Sequence, residues 1–249
     1  MAFNFNSKKV LVTGAGRGIG RGITLALANA GCKVYALDCV KGNLDKLASE
    51  NPSIVTILQD LSNWEATRTT LEDIEVLDGL VNNAGVVKGV GPALEVSRDD
   101  LDGLLAVNLL AGINCIQVVA KKMIEVGKCG SIVNIASIVS QKAYANHLAY
   151  TVSKAGVDMV TKQFALELGP HNIRVNSVNP TLVETNLITP EQMKAVFAPV
   201  VERMPIARPA TVEDIVGPVL YLLSDYSAMV TGTSHLVDGG MYCNITTKS

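Results

Sequence analysis

Thr13-Gly14-Ala15-Gly16-Arg17-Gly18-Ile19-Gly20 follows the apolar run Val10-Leu11-Val12 and opens a helical pattern that reaches about residue 30. A strand, a glycine-rich turn and a helix in that order let the backbone approach a pyrophosphate. Its charge then rests on the free N–H groups and dipole of the helix start. The spacing departs from plain G-x-G-x-x-G, because Ile19 stands where the third glycine would be; T-G-x-x-x-G-x-G fits, through Gly14, Gly18 and Gly20. A glycine-rich turn without a ligand has the same local pattern, so the rest of the chain must decide.

Outward from this turn, short apolar runs alternate with helical segments. Residues 33–37, 54–58, 79–81, 131–135, 174–178 and 234–237 read as strands. The segment 97–126 reads as one long helix with Ser97 as N-cap and Asp99 and Asp100 in its first turn. Residues 149–168 form a helix ended by Gly169-Pro170, and 212–223 another. Continuously apolar strands between helices indicate a parallel sheet covered on both faces. The expected fold is α/β: a single-domain, Rossmann-like, doubly wound parallel sheet of about seven strands spanning 1–249. The stretch 181–210 carries Pro190, Pro199, Pro205 and Pro209 and a short helical pattern at 191–197, and reads as a substrate-binding lid loop within that domain.

Composition removes other classes. The chain has 249 residues, 48% hydrophobic and 18% charged, which is not a disordered composition. A net charge of −2 with 4% aromatics leaves no cationic footprint or stacking surface for nucleic acid. Five cysteines without a C-x-x-C and three scattered histidines (His147, His171, His235) give no metal-ligand spacing. The uncharged stretch 103–120 is near bilayer length, but two asparagines and a glutamine interrupt it, so it reads as a helix buried in protein rather than a membrane span. Residues 1–9 hold no apolar core of signal-peptide length, and a cytoplasmic location is expected.

Strand ends mark a cofactor site. Asp38 ends strand two, 24 residues beyond Gly14, where a carboxylate accepts hydrogen bonds from both adenosine ribose hydroxyls. It would repel a 2′-phosphate, whereas Arg17 and Lys41 would attract one. Asp38 sits at the ribose itself, so NAD(H) is expected rather than NADP(H). Asp60, after strand three, can accept from an adenine amino group, with Leu61 beside it. Asn82-Asn83-Ala84-Gly85 ends strand four, its asparagines able to brace strands and Gly85 keeping the wall thin.

The chemistry points to Tyr150 and Lys154, whose i,i+4 spacing stacks them on one helix face. A nearby ammonium favours phenolate, so Tyr150 is expected to have a lowered pKa. Ser137, 13 residues earlier, can point its hydroxyl at the same substrate oxygen. Asn108 is an odd polar residue between Val107 and Leu109. It either satisfies a backbone bend or holds a water that relays protons to Lys154.

T-G-x-x-x-G-I-G (13–20), N-N-A-G (82–85), Asn108, Ser137 and Tyr150-x-x-x-Lys154 together resemble the short-chain dehydrogenase/reductase superfamily, over essentially the whole chain. The resemblance implies an Asn108–Ser137–Tyr150–Lys154 tetrad: Tyr150 as acid/base, Ser137 polarising the carbonyl or alcohol, Lys154 gripping the nicotinamide ribose and tuning Tyr150. It also implies that Val183 and Thr185 hold the carboxamide, in a stretch where this chain has Asn179-Pro180-Thr181 in place of the common Pro-Gly. A dimer through residues 98–127 and 149–168, doubled into a homotetramer, is implied as well. Residues 64–67, 146–150 and 165–181 look like dicarbonyl/L-xylulose reductases and related carbonyl reductases, a group that generally prefers NADPH. Here Asp38-Cys39 replaces that group's basic residue, and an NAD-linked relative would more plausibly oxidise its alcohol.

The resulting expectation is a hydride-transferring alcohol dehydrogenase/carbonyl reductase using NAD(H). An NADPH-dependent L-xylulose/dicarbonyl reductase is one alternative, and a catalytically idle dinucleotide-binding scaffold is another. A nucleotide-sugar epimerase is disfavoured by the short insertion at 185–205. Tyr144, Asn146 and His147 offer hydrogen bonds for a polyol, although His147 has a plain alternative as a loop residue bonded to backbone. Leu187, Ile188, Met193, Val196 and Phe197 would give the lid an apolar lining.

Overall fold

The computed structural model describes residues 3–185 and 198–243. Seven strands form one sheet in the order β3-β2-β1-β4-β5-β6-β7, every pair parallel. They are β1 (Lys9–Thr13), β2 (Lys33–Asp38), β3 (Val55–Leu58), β4 (Gly79–Asn82), β5 (Gly130–Ile135), β6 (Ile173–Pro180) and β7 (Ser234–Val237). The helices that flank them are α1 (Gly18–Asn29), α2 (Lys41–Glu50), α3 (Trp64–Glu72), α4 (Arg98–Leu105), α5 (Ala111–Glu125), α6 (Leu148–Leu168) and α7 (Val212–Leu223).

Strand side chains alternate between two cores, as a two-residue period requires. Val10, Val12, Val34, Ala36, Val81 and Val133 pack with α1, α2 and α7, through Ile23, Leu27, Leu44, Leu47, Ile215 and Val219. Leu11, Tyr35, Leu37, Leu80, Ile132 and Val175 pack with α3, α5 and α6, through Leu71, Ile116, Met123 and Leu168. Both faces are buried, which is why the strands read as continuous apolar runs. The two edge strands are the exceptions: Val55 and Leu58 of β3 and Leu236 of β7 are exposed.

The single long helix expected at 97–126 runs unbroken from Arg98 to Glu125. Ser97 does accept from the Asp100 N–H at 3.1 Å, as an N-cap should. The helix then widens into a five-residue π turn, Ala106–Leu110, between α4 and α5. The buried Asn108 lies at its centre, turned onto the backbone of Val86. One extra residue per turn is the local consequence of accommodating that side chain, and such turns often lie at functional sites. Residues Arg98–Glu125 are long and apolar enough by composition to cross a membrane, yet half of the stretch is buried within this fold. Asn114 is buried too, accepting from Arg68 and donating to the Trp64 carbonyl. At the far end of α6 the chain turns once more through Gly169–His171, and Asn172 takes the left-handed conformation at φ 56°.

Candidate active site

The carboxyl ends of β1, β2, β4, β5 and β6 share one rim, where open parallel sheets bind ligands. At its centre Gly14 and Gly18 adopt φ +61° and +53°, a region open to glycine. A Cβ on Gly14 would lie 2.9 Å from the Ala84 Cα, and one on Gly20 would lie 2.1 Å from the Gly14 carbonyl oxygen. The turn is therefore pressed against the end of β4, with α1 rising directly from it. Arg17 precedes α1 without capping it through its side chain. The N–H groups of the first turn, Gly18, Ile19 and Gly20, are thus suited to an anion. Asn83 braces this turn: its Nδ2 donates to the carbonyls of Thr13 (2.9 Å) and Gly14 (3.0 Å). The N–H groups of Asn83 and Ala84 both donate to Thr13 Oγ1, a hub the sequence reading missed.

Asp38 is buried at the end of β2. Its Oδ2 accepts from the Gly16 N–H and its Oδ1 from the Val40 N–H, both at 2.9 Å. The carboxylate is thereby fixed beside the glycine turn, with lone pairs left on each oxygen. Cys39 is exposed next to it. Of the two cations weighed against Asp38, Lys41 is paired with Asp45 and Arg17 is exposed. Asp60 lies two residues beyond β3 rather than at its end, exposed, its Oδ1 capping Ser62; Leu61 is buried in the core. Pro180 closes β6, and Thr181 donates its N–H to the Val237 carbonyl. Val183 bridges to Ala210, and the Thr185 methyl group approaches Gly18, so this strap returns to the glycine turn. The rim thus fits a dinucleotide: a tight cradle, a helix N-terminus and an anchored carboxylate converge. The apolar lid residues 187, 188, 193, 196 and 197 lie outside the described residues, as does the 191–197 helical pattern.

On α6, Tyr150 and Lys154 stack as the spacing predicts, the ammonium 5.8 Å from the ring centroid. Lys154 is buried, and its Nζ donates to the Ile135 carbonyl at 2.8 Å. Ser137 hydrogen-bonds the phenol and caps the short turn that follows it. The expected lowering of the Tyr150 pKa is corrected. Burial pushes the phenol above its ordinary value, and the Ser137 hydrogen bond offsets this only in part. Burial also pulls Lys154 down to about 8, against an opposing pull from Asp158. Desolvation disfavours the charged form of each group, and here it outweighs the opposing effects of Ser137 and Asp158.

Asn108 holds the loop after β4. Its Oδ1 accepts from the Val86 N–H at 2.8 Å, and its Nδ2 donates to the Val86 carbonyl at 2.9 Å and to Ser153 Oγ at 3.3 Å. These bonds serve the bend, one of its two readings. Gly85 sits over this pair; a Cβ there would stand 3.5 Å from Asn108 Oδ1 and 3.6 Å from Lys154 Nζ. His147, the N-cap position of α6, contacts the Ala145 carbonyl through Nδ1 at 2.7 Å. Its ring lies 4.5 Å from that of Tyr144, which is exposed. The structure therefore joins Tyr144 and His147 in one loop, with the plainer histidine contact present. Sequence reading missed Asp158, although Tyr150, Lys154 and Asp158 form an unbroken i,i+4,i+8 series that could have flagged it.

A doubly wound parallel sheet whose rim joins a glycine cradle to a buried tyrosine–lysine pair defines a class: dinucleotide-dependent oxidoreductases that move a proton through tyrosine. Comparison with known proteins narrows the class. Residues 14–242 match the family model described as Enoyl-(Acyl carrier protein) reductase. L-xylulose reductase of Mesocricetus auratus is 45% identical over 245 residues, 96% of this chain and 98% of that protein. Carbonyl reductase [NADPH] 2 of Sus scrofa is 43% identical, over 96% of this chain and 98% of its own. A short-chain type dehydrogenase/reductase from Mycobacterium ulcerans superposes with a TM-score of 0.92 at 28% identity, covering 98% of this chain and 93% of that one. The chain belongs to the short-chain dehydrogenase/reductase family. It is an NAD(P)-dependent oxidoreductase that interconverts alcohols and carbonyl compounds.

Proposed function

We propose that the protein interconverts a ketose or small ketone and the corresponding secondary alcohol, using NAD(H). The observation that carries this reading is the buried Tyr150–Lys154 pair, with Ser137 on the phenol, on the same rim as the anchored Asp38. The nicotinamide, when bound, supplies or receives the hydride. Gly14, Gly18, Ile19 and Gly20 would hold the pyrophosphate, Asp38 and Cys39 the adenosine ribose, and Asp60 and Leu61 the adenine. Ala84, Gly85, Pro180, Thr181, Val183 and Thr185 would line the nicotinamide half. Ser137 and Tyr150 donate hydrogen bonds to the substrate carbonyl oxygen, and Tyr150 gives it a proton as the alcohol forms. Lys154 stabilises the phenolate left behind, and Asn108, through Val86, keeps the adjoining wall in place. A phenol raised by burial is protonated at neutral pH, which suits it to donate.

The cofactor assignment rests on Asp38, and the alternative, an NADPH-dependent L-xylulose or dicarbonyl reductase, has support from relatives. The Sus scrofa relative is named for NADPH, and a 33% identical structure from Agrobacterium tumefaciens holds NADP. Assays of L-xylulose, D-erythrulose and diacetyl reduction with each cofactor decide between them. We expect turnover with a higher kcat/KM for NADH. Preference for NADPH would reverse the cofactor assignment, and no turnover in either direction would leave only a dinucleotide-binding scaffold.

The subunit arrangement follows from the same helices. Val152, Met159 and Leu166 recur at seven-residue spacing along α6, all exposed, with Leu110 and Ile124 exposed on the neighbouring segment. Such an apolar stripe calls for a covering partner, and a homotetramer is proposed. Its mass in solution by light scattering should be about four times 26.3 kDa; a monomeric mass would overturn it. The five cysteines are all free, which suits a reducing compartment, and a cytosolic location is proposed. Recovery of the activity solely from a membrane or secreted fraction would refute it.

A further inference from the structure

One turn beyond Lys154 on α6 lies Asp158, a carboxylate 5% exposed that no established role requires. Its oxygens are met by neutral donors from two segments, the loop after β5 and β6. Oδ2 accepts from Ser140 Oγ at 2.7 Å, Gln141 Nε2 at 3.2 Å and Asn179 Nδ2 at 3.2 Å. Oδ1 accepts from Ser177 Oγ and Asn179 Nδ2, both at 3.0 Å. Asn179 Nδ2 also donates to the Ser137 carbonyl at 3.2 Å and bonds Ser140 Oγ at 2.8 Å. The loop that carries Ser137 is thus fastened to α6 and β6 through one buried anion. A buried charge normally has a counter-charge, and here that partner is Lys154, equally buried and one helical turn away.

We propose that Asp158 is a positioning residue: its negative charge holds the charge of Lys154 within the apolar interior, and its hydrogen bonds hold the Ser137 loop over Tyr150. This rests on the Tyr150–Lys154 reading given above. The surroundings of Lys154 are otherwise neutral in kind. From its own helix it faces Tyr150, from β5 the Ile135 carbonyl, and beside Gly85, in the loop after β4, it neighbours Asn108 of the π turn. Asp158 faces Ser140 and Gln141 from the loop and Ser177 and Asn179 from β6. Burial draws Lys154 down to about 8, and among the described residues Asp158 is the charged group that opposes it.

The sign of the effect is fixed. An anion disfavours loss of a proton from a neighbouring pair, so removing it lets the pair shed its first proton at lower pH. Carbonyl reduction needs the fully protonated pair, and its rate falls on the alkaline side as that proton leaves. Asp158→Asn should move this alkaline limb of kcat/KM to lower pH by about one unit or more. Asn places an NH2 group against the Asn179 amide, so Asp158→Ser, which is neutral without that clash, serves as a second variant. Asp158→Glu, which keeps the charge, should leave the limb near its wild-type position. Circular dichroism and dinucleotide binding report folding in each variant.

Limb movement in both neutral variants, and not in Asp158→Glu, bears the proposal out. A uniform loss of rate at every pH with the limb unmoved would show a purely structural role and overturn it. If the wild type has no such limb, or Lys154→Met retains it, the Tyr150–Lys154 reading falls and takes this inference with it.

Discussion

Tyr150→Phe is expected to lower kcat for carbonyl reduction by about 10³-fold, within the range that a positioned proton donor contributes. The substitution removes one oxygen and keeps the ring. The packing around α6 and the approach of the Lys154 ammonium to the ring face therefore survive. What goes is the proton that must reach the substrate oxygen as the hydride arrives. Ser137 remains to hydrogen-bond that oxygen, but a serine hydroxyl gives up its proton far less readily than a phenol. The glycine cradle is built from β1, the end of β4 and α1, none of which touches the phenol oxygen. Dinucleotide affinity, measured by quenching or enhancement of cofactor fluorescence, should therefore change by about twofold or less. Loss of turnover with binding retained is the signature of a proton donor. A variant within tenfold of wild type would remove Tyr150 from the chemistry, and parallel loss of binding would recast it as a structural residue.

How much of this was legible before any coordinates depended on which force decided each feature. The sheet was legible because burial on both faces leaves uninterrupted apolar runs, and the strands at 10–12 and 234–237 fall within or on the observed ones. Even β3, an exposed edge, was read to within one residue, whereas α2 buries little beyond Leu44 and Leu47 and leaves no strong periodic trace. The π turn was not legible, since periodicity alone does not distinguish 3.6 from a local 4.4 residues per turn. Its sign was a single polar residue, Asn108, whose side chain reaches back 22 residues to Val86.

The site divides along the same line. The glycines, Asp38, Ser137, Tyr150 and Lys154 carry their chemistry in residue type and spacing, so the sequence exposes them. Thr13 and Asn179 act through contacts made across the fold, up to 71 residues apart in the case of Thr13 and Ala84, and spacing does not report such contacts. The direction of the Tyr150 shift failed for a related reason. Sequence supplied the neighbouring charge but not the depth of burial, and burial is the larger effect.

Asp38→Ser combined with Cys39→Arg should shift the ratio of kcat/KM for NADPH over NADH by about 10²-fold toward NADPH. Two like unit charges at 4 Å and an effective dielectric near 20 repel by about 4 kcal/mol, roughly a thousandfold. The rim is partly open to solvent, so about two thirds of that is a reasonable expectation. The substitution acts twice. Serine removes the anion that would face a 2′-phosphate, and arginine offers a planar donor pair at an exposed position beside it. Arg17, exposed at the entry to α1, becomes a second cation without a carboxylate working against it. The cost falls on the glycine turn, because Asp38 accepts from the N–H groups of both Gly16 and Val40. A serine hydroxyl can replace one of those bonds, so absolute rates with either cofactor should fall even as the ratio moves. The ratio isolates the ribose contact from the damaged turn, since both cofactors use the same pyrophosphate cradle. Steady-state kinetics with one ketose and both cofactors, before and after the exchange, measures it. An unchanged ratio would mean that Asp38 serves the Gly16 turn alone and that the adenosine ribose lies elsewhere on the rim.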